Sequence, residues 1–203
     1  MTRQPRVLIH LAKLAHNLRT IASRAAQAGI KITGVLKGTA GDPEIARTLI
    51  EAGLDSIGDS RIENLRKLKD YRRIERMMVR LPARSRLAEV TAIASCSLNA
   101  ETEILRGLNE VAGGCHQVIL MVDLGDLREG VAPADLLELG RYCRKLRRIS
   151  VVGLGANFSC FAGVIPTVSN LEQLTLLARE LQTCLHLPIR WVSGGNSSSL
   201  ALL

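Results

Sequence analysis

Aromatic side chains are scarce in this sequence of 203 residues. Only 2% of the residues are Phe, Trp or Tyr, whereas 47% are hydrophobic, so an aliphatic core of Leu, Ile, Val and Ala is expected. The six prolines and 17 glycines follow no period, which excludes a collagen-like or low-complexity chain. The hydrophobic content is too high for a disordered protein. The length allows one large domain or two small ones.

Long hydrophobic runs are also missing. The longest apolar stretch, Val118 to Val122, is far too short to span a bilayer, and the first residues lack the apolar core of a signal peptide. The cysteines are odd in number and form no CxxC pair, so neither a disulfide framework nor a zinc site is indicated. They are Cys96, Cys115, Cys143, Cys160 and Cys184. We therefore expect a cytoplasmic protein with no membrane partner and no bound metal.

The charge balance is basic, with a net charge of +8 and a pI of about 9.7. Nearly all of the positive residues are arginines, since only six lysines are present, and they concentrate at 61–86 and 141–148. We interpret these stretches as solvated helix faces, because acidic residues accompany the first of them. A nucleic-acid-binding surface is the alternative, but aromatic residues that could stack on bases are almost absent there. No nucleic-acid partner is expected.

Short apolar runs alternate with amphipathic helical patterns along the whole chain. Strands are predicted at 32–36, 54–58, 77–81, 94–98, 117–123, 149–154 and 189–192. Such an alternation predicts a parallel sheet covered on both faces by helices. We predict one α/β domain over residues 1–203, of the (β/α)8 TIM-barrel type. It is expected to be incomplete, with about seven βα units and no eighth strand. An open doubly wound sheet is the alternative, although no GxGxxG motif follows the first strand.

Two helix starts carry recognisable signals. Asp42-Pro43-Glu44 combines a capping side chain, a proline in the first turn and an acid near the helix N-terminus. Ser60-Arg-Ile-Glu63 matches a capping box. We expect a helix to begin at each motif.

A lysine ends the first predicted strand, in Val35-Leu36-Lys37-Gly38. Ligand-binding groups of barrels lie at the carboxyl ends of the strands. Burial of an ammonium is costly, so desolvation at such a place favours the neutral, nucleophilic amine. Lys37 is therefore a candidate for Schiff-base formation with a carbonyl. The alternative is a lysine that extends to the rim or pairs with a carboxylate.

Three further strand ends carry candidate ligand-binding residues. Arg128 follows the fifth strand and could contact an anionic oxygen, or could pair with a neighbouring acid instead. Asn157 follows the sixth strand and could orient a ligand, or could stabilise its own turn. The seventh strand ends in Ser193-Gly-Gly-Asn196-Ser197, a loop typical of phosphate sites. A strand-end lysine with a phosphate loop suits a phosphorylated aldehyde such as pyridoxal phosphate. A barrel aldolase acting on a keto-sugar phosphate is another candidate.

Several motifs in order resemble the alanine racemase-type barrel of fold type III pyridoxal-phosphate enzymes, in its ornithine-racemase-like branch. The resemblance covers residues 7–203. It is carried by Ile9 to Leu18, Gly34-Val-Leu-Lys37-Gly, Gly41 to Ala46, Asp59 to Leu65, Met121 to Gly130, Gly153 to Pro166 and Ser193 to Leu200.

The resemblance implies a function for each candidate residue. Lys37 would carry pyridoxal phosphate as an internal aldimine and act as a base toward a substrate amino acid. Arg128 would lie near the phenolic oxygen of the pyridine ring, and Asn157 would take the place of a ring-contacting histidine. Ser197, with the backbone around Asn196, would bind the phosphate. The implied protein is a homodimeric amino-acid racemase of the alanine or ornithine type.

The sequence also departs from the alanine racemase pattern. Gly41 stands about where those enzymes have a phosphate-contacting tyrosine, and Met121 stands where they have a lysine. The family places a ring-nitrogen partner on the eighth strand and a catalytic tyrosine in a C-terminal β-domain, both outside residues 1–203. A non-catalytic pyridoxal-phosphate-binding protein is therefore a second hypothesis. Against it, the glycine–glutamate–asparagine motif of such proteins is missing after the second strand.

Overall fold

The computed structural model describes residues 6–203, in which seven strands alternate with helices. The strands are β1 (Gly34–Val35), β2 (Ser56–Asp59), β3 (Glu75–Met78), β4 (Cys96–Asn99), β5 (His116–Met121), β6 (Ile149–Gly155) and β7 (Trp191–Ser193). The α-helices are α1 (Leu11–Gln27), α2 (Pro43–Glu51), α3 (Ile62–Arg66), α4 (Leu87–Ile93), α5 (Thr102–Val111), α6 (Leu136–Cys143) and α7 (Val168–Leu185). Short 3-10 helices lie at Lys37–Thr39, Arg84–Arg86, Pro133–Asp135 and Ser197–Leu202.

The strands form a single parallel sheet whose spatial order follows the chain from β1 to β7. The sheet curls into a half-barrel, with β1 and β7 as its edges among the described residues. The predicted incomplete (β/α)8 architecture is therefore confirmed, and the open doubly wound alternative is excluded. At the amino ends of the two edge strands, Lys31 Nζ lies 5.0 Å from the centre of the Trp191 ring.

The core has two parts, which lie on opposite faces of the sheet. On β5, Val118 and Leu120 face the helices, whereas Ile119 and Met121 face the inside of the barrel, as the alternation of side chains along a strand requires. The larger cluster lies between sheet and helices and includes Leu65, Leu105, Leu154 and Leu181. The inner cluster is small: Cys96, Ile119, Met121 and Val152 are buried, and Met77, Leu98, Ala100 and Trp191 pack against them.

The two predicted helix starts have different outcomes. The prediction at Asp42 is confirmed, because its Oδ1 accepts hydrogen bonds from the amides of Glu44 (2.9 Å) and Ile45 (3.1 Å) at the start of α2. The capping box at Ser60 is wrong. The N-cap of α3 is Arg61, whose amide donates to the buried Asp59 carboxylate (2.9 Å), so the preceding strand residue supplies the oxygen.

The edge strands are shorter and more exposed than predicted. β1 has two residues and β7 has three, and Val35 and Val192 remain 48% and 47% exposed. Within the described part of the chain, each edge strand pairs with only one neighbour, so its free backbone edge and its inner face are left uncovered there. Residues 7–10 belong to no strand.

The arginine-rich stretch at 61–86 contains ion pairs. Arg86 pairs with Glu63 and Glu89 (2.6 Å to each), and Arg66 also pairs with Glu89. These contacts lower the pKa of the Glu89 carboxyl, mainly through its hydrogen bond with Arg86. They favour the interpretation of this stretch as a solvated helix face. No helix within residues 6–203 combines the length and apolar character needed to cross a bilayer.

Candidate functional site

Lys37 lies at the carboxyl end of β1, in a tight turn. It begins the 3-10 helix Lys37–Thr39, and the hydroxyl of Thr39 donates to the Leu36 carbonyl (3.0 Å). The lysine side chain is exposed, so the predicted activation of its amine by burial is wrong. A two-residue edge strand offers too little cover to desolvate an amine. The position at the strand end, not burial, supports Lys37 as a candidate.

The turn after Lys37 explains the glycine at position 41. Gly41 has φ +62, in the left-handed region, and a Cβ built on it would lie 2.5 Å from Asn64 Cβ. Asn64 is held in turn by its side chain, which donates to Asp59 Oδ1 (3.0 Å). A tyrosine at this position is therefore incompatible with the packing of the β1–α2 turn against α3.

Arg128 and Asn157 meet at the carboxyl ends of β5 and β6 through one acidic residue. Arg128 Nε lies 2.5 Å from Glu129 Oε2, and its Nη2 donates to Oε1 (3.2 Å). The side-chain Nδ2 of Asn157 donates to the Glu129 main-chain carbonyl (3.1 Å) and lies 3.5 Å from Glu129 Oε2. Arg128 Nη1 also contacts Cys160 Sγ at 2.7 Å. The pairing of Arg128 with a neighbouring acid, predicted as an alternative, is thus present.

Asp126 ties the loop after β5 to the loop after β6. Its carboxylate is fully buried and accepts hydrogen bonds from the amides of Phe161 (3.0 Å), Cys160 (3.2 Å) and Val164 (3.3 Å). Burial opposes ionisation, but these N–H groups outweigh it and hold the pKa of Asp126 below its ordinary value. Asp126 is not among the site residues predicted from the sequence. An acid inside a glycine-rich loop directly after a buried strand was the available signal.

The loop after β7 is organised by Asn196. Its Nδ2 donates to the Phe158 carbonyl (2.8 Å), and its Oδ1 accepts from the Ser198 amide (2.8 Å). The Ser199 hydroxyl accepts from the Asn196 amide (2.9 Å), which completes a capping box on the 3-10 helix Ser197–Leu202. Gly194 is buried, and a Cβ there would lie 2.7 Å from Leu174. The loop thus leads directly into a short 3-10 helix.

The structure brings four of the five predicted site residues to one rim, and three of them, Arg128, Asn157 and Asn196, take part in its hydrogen bonds. Arg128, Asn157 and Asn196 are connected through Glu129 and the Phe158 carbonyl, and Ser197 follows Asn196 directly. Lys37 lies on the other edge strand of the half-barrel, without a direct bond to this rim among the described residues. Because the strands are parallel, both parts face the same end of the barrel.

The rim suits an anionic, carbonyl-bearing ligand. Within residues 6–203, the amides of Gly195 and Ser197 and the Ser197 hydroxyl have no hydrogen-bond partner, so they are free to bind phosphate oxygens. Arg128 adds a guanidinium that is 29% exposed, and Lys37 adds an exposed amine. This donor set fits pyridoxal phosphate, which needs an amine for its aldehyde and several donors for its phosphate.

A concavity of about 320 Å³ lies at the opposite end of the barrel. It is lined by Ser95, Cys115 and His116, with neighbouring residues, at the amino ends of β4 and β5. Beside it, His116 Nε2 lies 2.8 Å from the buried Ser97 hydroxyl, and burial lowers the pKa of the imidazole to about 4. Since active sites of barrels lie at the carboxyl ends of strands, we interpret this region as structural.

Comparison with known proteins places these features in a family context. Residues 9–203 match the family described as the alanine racemase N-terminal domain. An ornithine racemase from Acetoanaerobium sticklandii is 39% identical, with 98% of this chain and 57% of the relative covered. A lysine racemase from Thermotoga maritima is 36% identical, with 98% and 56% covered. Alanine racemase from Streptomyces coelicolor A3(2) superposes with a TM-score of 0.80 at 21% identity, over 94% of this chain and 53% of that one. The chain thus spans little more than half the length of these relatives.

Proposed function

Because the chain belongs to the alanine racemase N-terminal domain family, we propose that it is the cofactor-binding barrel of a pyridoxal-phosphate-dependent amino-acid racemase. Members of this family bind pyridoxal phosphate. The observation that carries the proposal is the position of Lys37 at the carboxyl end of the first barrel strand. The relatives with 39% and 36% identity act on ornithine and lysine, so we propose a basic amino acid as substrate.

Each candidate residue has a place in this proposal. Lys37 Nζ would bind the aldehyde, Ser197 and the backbone around Asn196 would hold the phosphate, and Arg128 would donate to the ring oxygen. Asn157 would contact the ring from the end of β6. When bound, pyridoxal phosphate stabilises the negative charge that remains after a proton leaves the amino-acid Cα.

Lys37 would also move a proton. Once the substrate amino group has displaced its amine from the aldehyde, Nζ would accept the Cα proton on one face and return it. Inversion needs a second proton-transfer group on the opposite face. The two tyrosines lie elsewhere, Tyr71 shortly before β3 and Tyr142 on α6. The proposal therefore gives Lys37 one of the two proton transfers.

Cofactor binding tests the proposal first. We expect the wild-type chain to turn yellow with pyridoxal phosphate, and borohydride to fix the cofactor on the peptide that contains Lys37, as mass spectrometry would show. Lys37→Ala should abolish this covalent label, whereas Lys145→Ala, which removes an exposed lysine on another face, should retain it. A label that persists in Lys37→Ala would assign the linkage to another lysine. A colourless wild-type chain would favour the aldolase or the nucleic-acid hypothesis.

Substrate turnover tests the second part. Single enantiomers of ornithine, lysine, arginine and alanine are incubated with the loaded protein, and the decay of their circular dichroism is followed. We expect the fastest decay with ornithine or lysine. A covalent label at Lys37 with no decay for any enantiomer would instead support the second hypothesis, a non-catalytic cofactor-binding protein.

We also propose that the protein is a homodimer. Large apolar side chains are exposed in the loops after β5 and β6, among them Leu127 (68%), Phe161 (77%) and Ile165 (68%). Contact with a second copy would remove this apolar surface from water. Size-exclusion chromatography with light scattering should give twice the monomer mass, and a monomer at all concentrations would contradict the proposal.

A further inference from the structure

Glu129 lies between two residues of the proposed cofactor site. Its side chain is only 13% exposed and makes a two-point contact with the guanidinium of Arg128, through Nε (2.5 Å) and Nη2 (3.2 Å). Its main-chain carbonyl accepts a hydrogen bond from Asn157 Nδ2 (3.1 Å), and its carboxylate lies 3.5 Å from the same nitrogen. One residue therefore contacts side chains from the ends of two neighbouring strands.

We infer that Glu129 is a positioning residue that fixes Arg128 and Asn157 relative to each other. This inference rests on the proposed function, since it concerns the two residues assigned to the cofactor ring. An arginine side chain has many rotamers. A carboxylate that accepts two hydrogen bonds selects the rotamer in which two guanidinium N–H groups point at its two oxygens. Glu129 itself need not touch the ligand.

The backbone around Glu129 is fixed to the end of β5. Val131 donates to the Met121 carbonyl (2.9 Å) and accepts from the Asp123 amide (2.9 Å), so the loop folds back onto the strand that it leaves. A Cβ built on Gly130 would lie 2.5 Å from the Asp123 amide nitrogen, and only glycine fits there. This close return determines where the carboxylate of Glu129 stands.

The other contact of the Arg128 side chain cannot replace that carboxylate. That contact, Cys160, is an exposed residue of the loop after β6 and carries a thiol, not a carboxylate. Glu129 is thus the acidic partner of Arg128 among the described residues, and its removal would leave the guanidinium free to move.

The first test needs no cofactor. The Arg128 Nε–H resonance, assigned by its loss in Arg128→Ala, should exchange slowly with water in the wild-type protein. In Glu129→Gln we expect the exchange to become at least about tenfold faster, while circular dichroism stays unchanged. Glu129→Asp, which keeps the charge, should restore part of the protection. Glu110→Gln is the control, because Glu110 pairs with Arg106 on the exposed face of α5. Unchanged exchange in Glu129→Gln would overturn the inference.

The second test is a double-mutant cycle on pyridoxal-phosphate affinity. We expect Glu129→Gln and Arg128→Ala each to raise the Kd about tenfold, and the double variant to be no weaker than Arg128→Ala alone. Independent, multiplicative losses would overturn the inference. If the wild-type chain binds no pyridoxal phosphate, the proposed function fails, whereas the resonance test still decides whether Glu129 holds Arg128.

Discussion

The two sides of the half-barrel rim differ in how firmly they are built. On the side of β5 to β7, the buried Asp126, the half-buried Glu129 and Asn157, and the exposed Asn196 join three successive loops by hydrogen bonds. On the side of β1, Lys37 stands exposed on a turn after a two-residue strand. The groups that would bind the cofactor's ring and phosphate are thus preorganised by the fold, whereas the amine proposed to bind its aldehyde is not.

Strand pairing accounts for this difference. β5 and β6 have six and seven residues, and each pairs with a neighbour on both sides. Among residues 6–203, β1 has a neighbour only in β2, with two residue pairs in register. Hydrogen bonds and burial on both sides fix the carboxyl ends of β5 and β6. The loops that follow therefore start from fixed positions, and hydrogen bonds join them to each other.

Asp126→Ala should have the largest effect on stability. Three amides of the loop after β6 would lose their buried acceptor, and we expect the free energy of unfolding to fall by about 3–4 kcal/mol. Urea denaturation measures this, with Asp135→Ala as the control, because Asp135 is exposed and makes no capping hydrogen bond. Lys37→Ala should change stability by less than about 0.5 kcal/mol. Equal losses for Asp126→Ala and Lys37→Ala would remove the contrast between the two sides.

The second prediction separates the two ends of β5 by pH. His116, at the amino end, has a folded pKa of about 4, below its unfolded value of about 6.5, so the unfolded chain binds the extra proton first. Stability should therefore fall by about 2 kcal/mol between pH 7 and pH 5. His116→Asn should abolish this slope.

Asp126, at the carboxyl end, titrates in a lower pH window. Its folded pKa is depressed, so its contribution is present above the unfolded carboxyl value and is lost as pH falls below about 4. A slope between pH 7 and pH 5 that survives in His116→Asn would assign the acid sensitivity to other groups.

The third prediction concerns the phosphate end of the preorganised side. Ser197→Ala should weaken pyridoxal-phosphate binding by about 1–2 kcal/mol, the scale of one hydrogen bond to a charged group. Ser198→Ala is the matched control, since the Ser198 amide, not its hydroxyl, bonds to Asn196. Spectroscopic titration gives both affinities. Equal affinities of Ser197→Ala and the wild type would place the phosphate elsewhere on the rim.

The sequence was sufficient for the architecture but not for the contacts within the site. Alternating apolar runs located all seven strands, and the strand-end positions of Lys37, Arg128 and Asn157 followed from parallel topology. The exposure of Lys37 was not predictable, because it depends on how short β1 is and on the absence of cover beside it. The tertiary contacts of Asp126 and Glu129 join residues about 30 positions apart, which neither periodicity nor local turn chemistry can indicate.

The smallest expected effect lies where the two sides of the half-barrel come together. Lys31, just before β1, places its Nζ 5.0 Å from the ring centre of Trp191, the first residue of β7. An exposed cation–π contact contributes about 0.5–1 kcal/mol, and here it joins the two edge strands, so Lys31→Met should lower stability by that amount. Trp191 is the only tryptophan, so its fluorescence reports the contact directly, and Lys13→Met on α1 provides the control. Unchanged emission and unchanged stability in Lys31→Met would mean that the packing of the helices, and not this contact, holds β1 close to β7.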